Sequence, residues 1–246
     1  MKNLNLNKFK KQYNENGFVI IKKFYEKKII NSINLDLKAY LEEKTKEKSK
    51  RFINKLSNNK INSLHNIQNW SWSKKLQKEK KLRLVVKKLL EERIEDFGSE
   101  LFAKPPKLGL AVPIHQDNYY WCLNKNNALT VWIAIDKSNK KNGGIYYFKK
   151  SHKLGLLEHS PSFTPGSSQK IKYPESMKLF KKFTPTLNPG DILIHNCVVV
   201  HGSEKNKSNK PRKGLTLRFK SHSSKIDKFL RKKYEVELKS QIKKRS

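Results

Sequence analysis

From about residue 98 onward the chain is cut into short apolar or alternating runs by proline, glycine, asparagine and serine: ELFAKPPKLG, NALTVWIAID, NGGIYYFKKS, NPGDILIHNCVVVHGS and RKGLTLRFKSHS. Strands of this length, at short and irregular spacing, predict an antiparallel barrel or jelly roll. NPGDILIHNCVVVHGS reads as one strand entered through a Pro-Gly-Asp turn.

Residues 1–97 read as mostly helical, with one strand. GFVIIKKFY (17–25) opens on glycine and is β-branched and compact, which predicts that strand. The following EKKIINSINLDLKAYLEEK sets Ile29, Ile30, Ile33, Leu37 and Leu41 near helical spacing. A polar stretch from Lys44 to Asn62 is expected to be mobile. Beyond it KKLRLVVKKLLEERIEDF lines up Leu82, Val85, Val86, Leu89, Leu90 and Ile94 as one helical stripe. At 246 residues, without a repeat or a clear linker, the chain fits a single domain. Within it 1–97 form a helical support, 98–222 the jelly-roll core and 223–246 a basic tail, helical at its start. The fold class is therefore mainly β with flanking helices.

The formal net charge of +34 would ordinarily put nucleic acid among the partners. Here the excess is nearly all lysine, spread over every segment, whereas readers of nucleic acid use arginine forks in a localised stripe. A solvated lysine surface is the expectation, with no specific nucleic-acid partner. Cys122 and Cys197 are too few for a disulfide framework or a four-cysteine zinc site, and fit a reducing compartment as small buried hydrophobes. The start MKNLNLNKFKKQY lacks the apolar core of a signal peptide, and no apolar run approaches the ~18 residues of a membrane span. The expected location is the cytoplasm. Oligomeric state is not legible.

PIHQDNYYW (113–121) carries the chemistry. On a strand, residues two apart face the same side, so His115 and Asp117 project an imidazole and a carboxylate into one space. Two histidines and one carboxylate make the facial triad of non-haem Fe(II), so this pair is two-thirds of one. Alone, His-x-Asp is weak evidence. His201 stands at a strand end before Gly202 and Ser203, and Arg212 heads the next strand, where a guanidinium can clamp a carboxylate through two parallel hydrogen bonds. The pattern is HxD, a long gap, H, ten residues, R.

In those motifs the chain resembles the phytanoyl-CoA dioxygenase family of Fe(II)/2-oxoglutarate oxygenases. GFVIIKKFY is similar to the family's N-terminal strand, KPPKLGLAVPIHQDNYYW to its metal-strand block, VWIAID and NGGIYYFKKSHKLG to its central strands, and PGDILIHNCVVVHGSEKNKSNKPRKGLTLRF to its closing block. The resemblance implies a double-stranded β-helix with iron at one mouth and helices outside. It implies His115, Asp117 and His201 as iron ligands and Arg212, helped by Ser203, on the distal carboxylate of 2-oxoglutarate. Gln116, Trp132 and Lys104 match positions that line or touch this cosubstrate. The implied reaction uses O2 to hydroxylate a small organic molecule, with oxidative decarboxylation of 2-oxoglutarate to succinate and CO2; a carboxylate at 117 favours hydroxylation over halogenation. The alternative is a catalytically silent jelly roll that binds polyanions through its lysines.

His195 has the parity of His201, but six residues at ~3.3 Å each put it too far away to share a metal, so it reads as a buried or barrel-lining histidine. Arg218 shares the parity of Arg212 and is the rival clamp. His152 in KKSHK reads as fixing a loop, while His65, His159 and His222 carry no pattern. Tyr119, Tyr120 and Trp121 wall either the substrate pocket or the core. The segment Leu154–Pro174 reads as a lid whose Ser167 and Ser168 meet an anionic group.

Overall fold

The computed structural model describes residues 4–46, 53–56, 60–164 and 166–243. Helix α1 (Leu6–Asn16) starts where the Asn5 side chain accepts the Lys8 N–H, and closes on Gly17, whose φ of 83° turns the chain straight into β1 (Phe18–Ile21). Next come α2 (Lys27–Lys46), β2 (Ile53–Lys55), β3 (Ile61–Leu64), α3 (Ser71–Gln77), α4 (Lys80–Leu90) and β4 (Ile94–Lys104). The second half holds β5 (Val112–His115), α5 (Asp117–Trp121), β6 (Ala128–Ala134), β7 (Ile145–Phe148), β8 (His159–Thr164), β9 (Ser167–Ile171), β10 (Lys182–Phe183), β11 (Ile192–Asn196), β12 (His201–Ser203), β13 (Arg212–Ser221) and α6 (Lys228–Lys243).

Two sheets face each other. The larger runs β1-β11-β6-β13-β4-β3-β2 and the smaller β10-β7-β12-β5, with neighbours antiparallel in both. This is the jelly roll that the short, turn-punctuated runs predicted, in the double-stranded β-helix form that the resemblance implied. Alternation along each strand divides the side chains of the large sheet. Leu129, Val131, Ile133, Ile192, Ile194, Leu215 and Leu217 pack outward against α2 and α4 in the main core. Trp132, Ala134 and Leu193 point the other way and meet Tyr147 of the small sheet. Helix α4 alone buries Leu82, Val85, Val86, Leu89 and Leu90, which contributes on the order of 10 kcal/mol of gross apolar burial.

Three expectations are corrected. The stripe assigned to one helix ends at Leu90, because Glu91 takes a left-handed φ of 53° and caps it; Ile94 instead opens β4, opposite Ser221. It continued the helical spacing by coincidence, both elements burying apolar residues against the same core. The polar stretch 44–62, expected to be mobile, carries in its described residues the end of α2, all of β2 and the start of β3, and the two strands extend the edge of the large sheet. Residues 47–52 and 57–59 of that stretch lie outside the described residues. An edge pair needs little burial, so its polar composition concealed it. Finally, NPGDILIHNCVVVHGS is two strands: Asn196 ends β11, its side chain accepting the Val198 N–H, and the turn hands the chain to β12 in the opposite sheet.

The segment expected as a lid, 154–174, holds the hairpin β8–β9, and α6 lies against β8 and α5. No helix among the described residues is long and apolar enough to cross a membrane.

Candidate metal centre

Strand β5 ends at His115, so the strand expected through PIHQDNYYW stops there and Asp117 begins the short helix α5. Gln116 between them keeps extended backbone, φ −122° and ψ 133°, and this preserves the same-side geometry of residues two apart. His201 pairs in register with His115. The corner between β11 and β12 thus delivers the second histidine opposite the first.

The donor atoms are preset by hydrogen bonds. Nδ1 of His115 lies 2.8 Å from the Pro113 carbonyl and Nδ1 of His201 lies 3.0 Å from the Val199 carbonyl. A carbonyl can only accept, so each Nδ1 carries the proton and each Nε2 turns a lone pair inward. Both Nε2 atoms lie 3.7 Å from Oδ1 of Asp117. These three ligand atoms lie within 4.8 Å of one another, the right scale for a shared ion. Burial lowers both imidazoles below their ordinary range and outweighs the pull of Asp117 in the other direction. Burial alone would raise the Asp117 carboxyl; the hydrogen bond from His195 and the surrounding imidazoles overcome it and hold the group far below the usual carboxylate range. The set is two neutral imidazoles and one carboxylate, which fits a borderline divalent metal such as Fe(II).

The second carboxylate oxygen is already engaged. Oδ2 of Asp117 accepts from Thr130 Oγ1 at 2.7 Å and from His195 Nε2 at 3.0 Å, and Thr130 and His195 are register partners on β6 and β11. The Tyr147 hydroxyl meets the far nitrogen of His195 at 3.0 Å. His195 is therefore barrel-lining, but the distance argument that removed it from the centre fails: its ring centroid is 4.6 Å from that of His201. The five residues between them fold over a corner instead of running along one strand. Parity with His201 was the signal that could have found it.

Deeper in the barrel, Arg212 pairs with Lys104 across β13 and β4. Its Nε and Nη2 donate to the Gly143 carbonyl at 3.2 and 2.6 Å, and its guanidinium sits 5.5 Å from the Trp132 ring centroid. Burial lowers Arg212 to about 10. The indole Nε1 of Trp132 is buried without a hydrogen-bond partner. Gly214 is what lets this ring lie on β13, since a Cβ there would come within 1.9 Å of it. Lys104 is committed elsewhere, its Nζ donating to the carbonyls of Leu110 and Glu204 at 2.6 Å each. Ser203 is buried on β12.

Gln116 is spent on the backbone. Its amide nitrogen donates to the carbonyls of Gly155 and Val198, and its oxygen accepts from the Leu157 N–H. Of the three rings, Tyr120 stands edge-on to His115, centroids 5.6 Å apart, with its hydroxyl on the Gln169 carbonyl. Tyr119 stacks on His159 and reaches Glu237 of α6, and Trp121 packs edge-on against Phe97. Ser167 and Ser168 lie near the hydroxyls of Tyr120 and Tyr234. His152 bonds the Asn14 carbonyl, His65 meets Ser63 and Glu100, and His222 meets Glu95. Cys122 and Cys197 are buried and free.

His159 carried no sequence pattern, yet it sits under the centre. Its Nδ1 faces the Leu157 carbonyl and its Nε2 accepts the Gln116 N–H, so the site fits only the neutral ring. Burial pushes its pKa from 6.5 down to about 3. Below 6.5 the unfolded chain binds a proton that the folded one refuses, so stability is lost as pH falls from 6.5 toward 3. The loss should reach about 2 kcal/mol near pH 5. Urea unfolding near pH 7.5 and near pH 5 should show His159→Gln losing about 2 kcal/mol less than wild type; equal losses would reject this assignment.

Fold and donor atoms together define a class: mononuclear non-haem metal proteins built on a double-stranded β-helix. The phytanoyl-CoA dioxygenase (PhyH) family matches residues 13–214, and the chain belongs to that family, whose members are Fe(II)- and 2-oxoglutarate-dependent oxygenases. The peroxisomal phytanoyl-CoA dioxygenase of Mus musculus is 23% identical over 231 residues, which cover 86% of this chain and 67% of the mouse protein. A phytanoyl-CoA dioxygenase domain-containing protein 1 homolog of Caenorhabditis briggsae is 28% identical, over 58% of this chain and 52% of its own length. The chain thus spans between about half and two thirds of these relatives. Among solved structures, EctD from S. alaskensis with 2-oxoglutarate and 5-hydroxyectoine superposes with a TM-score of 0.75 at 17% identity, over 89% of this chain and 77% of that one. The epimerase SnoN from nogalamycin biosynthesis gives 0.71 at 16% identity, over 92% and 88%. These likenesses establish the fold.

Proposed function

We propose that the protein is an Fe(II)- and 2-oxoglutarate-dependent dioxygenase that hydroxylates a small organic substrate, releasing succinate and CO2. The observation that carries this reading is the locked donor set: Nε2 of His115, Nε2 of His201 and Oδ1 of Asp117 converge, while Oδ2 is withdrawn by Thr130 and His195. Three donors from one side leave the rest of a metal's coordination sphere for cosubstrate and oxygen. Bound there, Fe(II) would supply the chemistry that couples oxidation of 2-oxoglutarate to oxygen insertion at a substrate C–H.

The remaining steps belong to the protein. Arg212 binds the distal carboxylate of 2-oxoglutarate through Nη1, the guanidinium nitrogen that Gly143 leaves unused, and the orphan indole N–H of Trp132 donates to the same molecule. A buried donor without a partner costs about 1–3 kcal/mol, which a bound carboxylate would recover. Ser203 assists from β12. Tyr120, beside His115, forms part of the wall that keeps water from the substrate side.

Anaerobic addition of Fe(II) and then 2-oxoglutarate tests this reading. A weak visible charge-transfer band is expected in the wild type and should vanish in His201→Ala. Absence of the band in the wild type would remove the proposal.

A further inference from the structure

The geometry points to Arg218 as the seat of a carboxylate on the primary substrate. This rests on the oxygenase reading above and adds the substrate's chemical class. Arg218 and Arg212 share β13 but not an environment; six residues put their backbones ~20 Å apart along the strand. Arg218 lies in the row of the metal centre: it pairs in register with Thr130, the residue that holds Asp117. Its guanidinium sits 5.9 Å from the ring of Trp121, which ends the same short helix that Asp117 begins.

Three features of the sequence build this position. Gly98 faces Arg218 across the sheet, and the guanidinium occupies the space a side chain would take, with its atoms 2.3–2.6 Å from where a Cβ would stand. The register slips by one residue between Arg218 and Phe219, so Phe97 is the bulged residue. The bulge brings the Phe97 ring 5.6 Å from the guanidinium, on which Trp121 also packs. The cation is held by rings and by a hole, yet it makes no hydrogen bond to a described residue. Its Nε is buried and unpartnered, and its one ionic neighbour is Glu100, whose Oε1 lies 3.6 Å from Nη2. A fork positioned this firmly, with one ion pair at Nη2 and no hydrogen bond among the described residues, keeps donors for a planar carboxylate supplied from outside.

Glu100 narrows the class. Its carboxylate, also held by His65 at 2.7 Å, offsets part of the cation's charge. A phosphate dianion beside it would meet about twice the repulsion that a single carboxylate meets. The substrate is thus a small monocarboxylic acid, reaching Arg218 at one end and the metal centre at the other.

The probes are the proteinogenic α-amino acids and a set of short hydroxy and aliphatic monocarboxylic acids, each offered beside its primary amide to enzyme loaded with Fe(II) and 2-oxoglutarate. At least one acid should raise succinate release above the probe-free rate, and its amide should be about a hundredfold weaker or worse. Arg218→Gln and Gly98→Ala should each cut the response to that acid about a hundredfold, while the anaerobic Fe(II)/2-oxoglutarate band forms at wild-type cosubstrate concentrations. Gly98→Ala keeps the charge and only displaces the fork, so it guards against a folding defect in the first variant. The assignment is overturned if no acid acts, if acids and amides act alike, if both variants respond as wild type, or if Arg218→Gln loses the band, which would give Arg218 to the cosubstrate. A wild type that forms no band overturns the oxygenase reading itself, a distinct failure.

Discussion

Asp117→Asn is expected to lose metal affinity by at least about a hundredfold while remaining folded. The substitution keeps shape and volume, so the outcome turns on hydrogen-bond polarity. Oδ2 of Asp117 accepts from two donors, Thr130 Oγ1 and His195 Nε2, while Oδ1 faces the two imidazole lone pairs. An amide has one acceptor oxygen. Turned toward Thr130 and His195, that oxygen leaves an NH2 pointing at the metal position, where it cannot ligate. Turned toward the metal, it sets the NH2 against an O–H and an N–H, leaving donors opposed at a cost of about 1–3 kcal/mol. The negative charge is lost in both cases. Anaerobic Fe(II) titration by equilibrium dialysis measures the affinity, and urea unfolding verifies the fold. His195→Phe, which touches no ligand atom facing the metal, should weaken binding only about ten- to a hundredfold, the range for residues that orient a ligand. If Asp117→Asn bound Fe(II) as wild type does, the carboxylate would not be a ligand.

The contrast between these residues shows what the sequence could and could not disclose. The convergence of His115, Asp117 and His201 was legible because strand periodicity and the order of motifs survive without coordinates, and so was the place of Arg212 at the head of a strand. His195 was read correctly as barrel-lining, but its distance from the centre was misjudged because a strand rise was applied across Cys197–Val200, where the chain turns a corner between sheets. Gln116 matched a cosubstrate-lining position, but its amide is committed to three backbone groups, a fact that depends on Gly155, Leu157 and Val198 meeting in space. The jelly roll could be read from turn residues and run lengths. The edge pair β2–β3 could not, because an edge strand buries too little to leave an apolar pattern.

Arg212→Gln should raise the 2-oxoglutarate concentration that half-forms the charge-transfer band by about a hundredfold or more, with Fe(II) affinity in the absence of cosubstrate unchanged. The guanidinium secures Gly143 through Nε and Nη2, and in the proposed reading Nη1 serves the cosubstrate. Glutamine removes the charge and the fork, and it is too short to keep both contacts. Arg212→Lys should fall between wild type and Gln, since an ammonium restores charge but not two parallel hydrogen bonds. The nearest cation, Lys104, is a poor substitute. Its Nζ is tied to the carbonyls of Leu110 and Glu204, and burial first, then Arg212, holds its pKa down to about 6. Removing Arg212 lifts the second of these restraints, so Lys104 should gain positive charge in Arg212→Gln and supply a weak, unforked attraction. Arg212→Gln/Lys104→Met should then lose more 2-oxoglutarate affinity than Arg212→Gln alone, with the gap shrinking as salt rises. Equal affinities in the two variants would show that Lys104 takes no part, and a wild-type cosubstrate requirement in Arg212→Gln would remove Arg212 from the site.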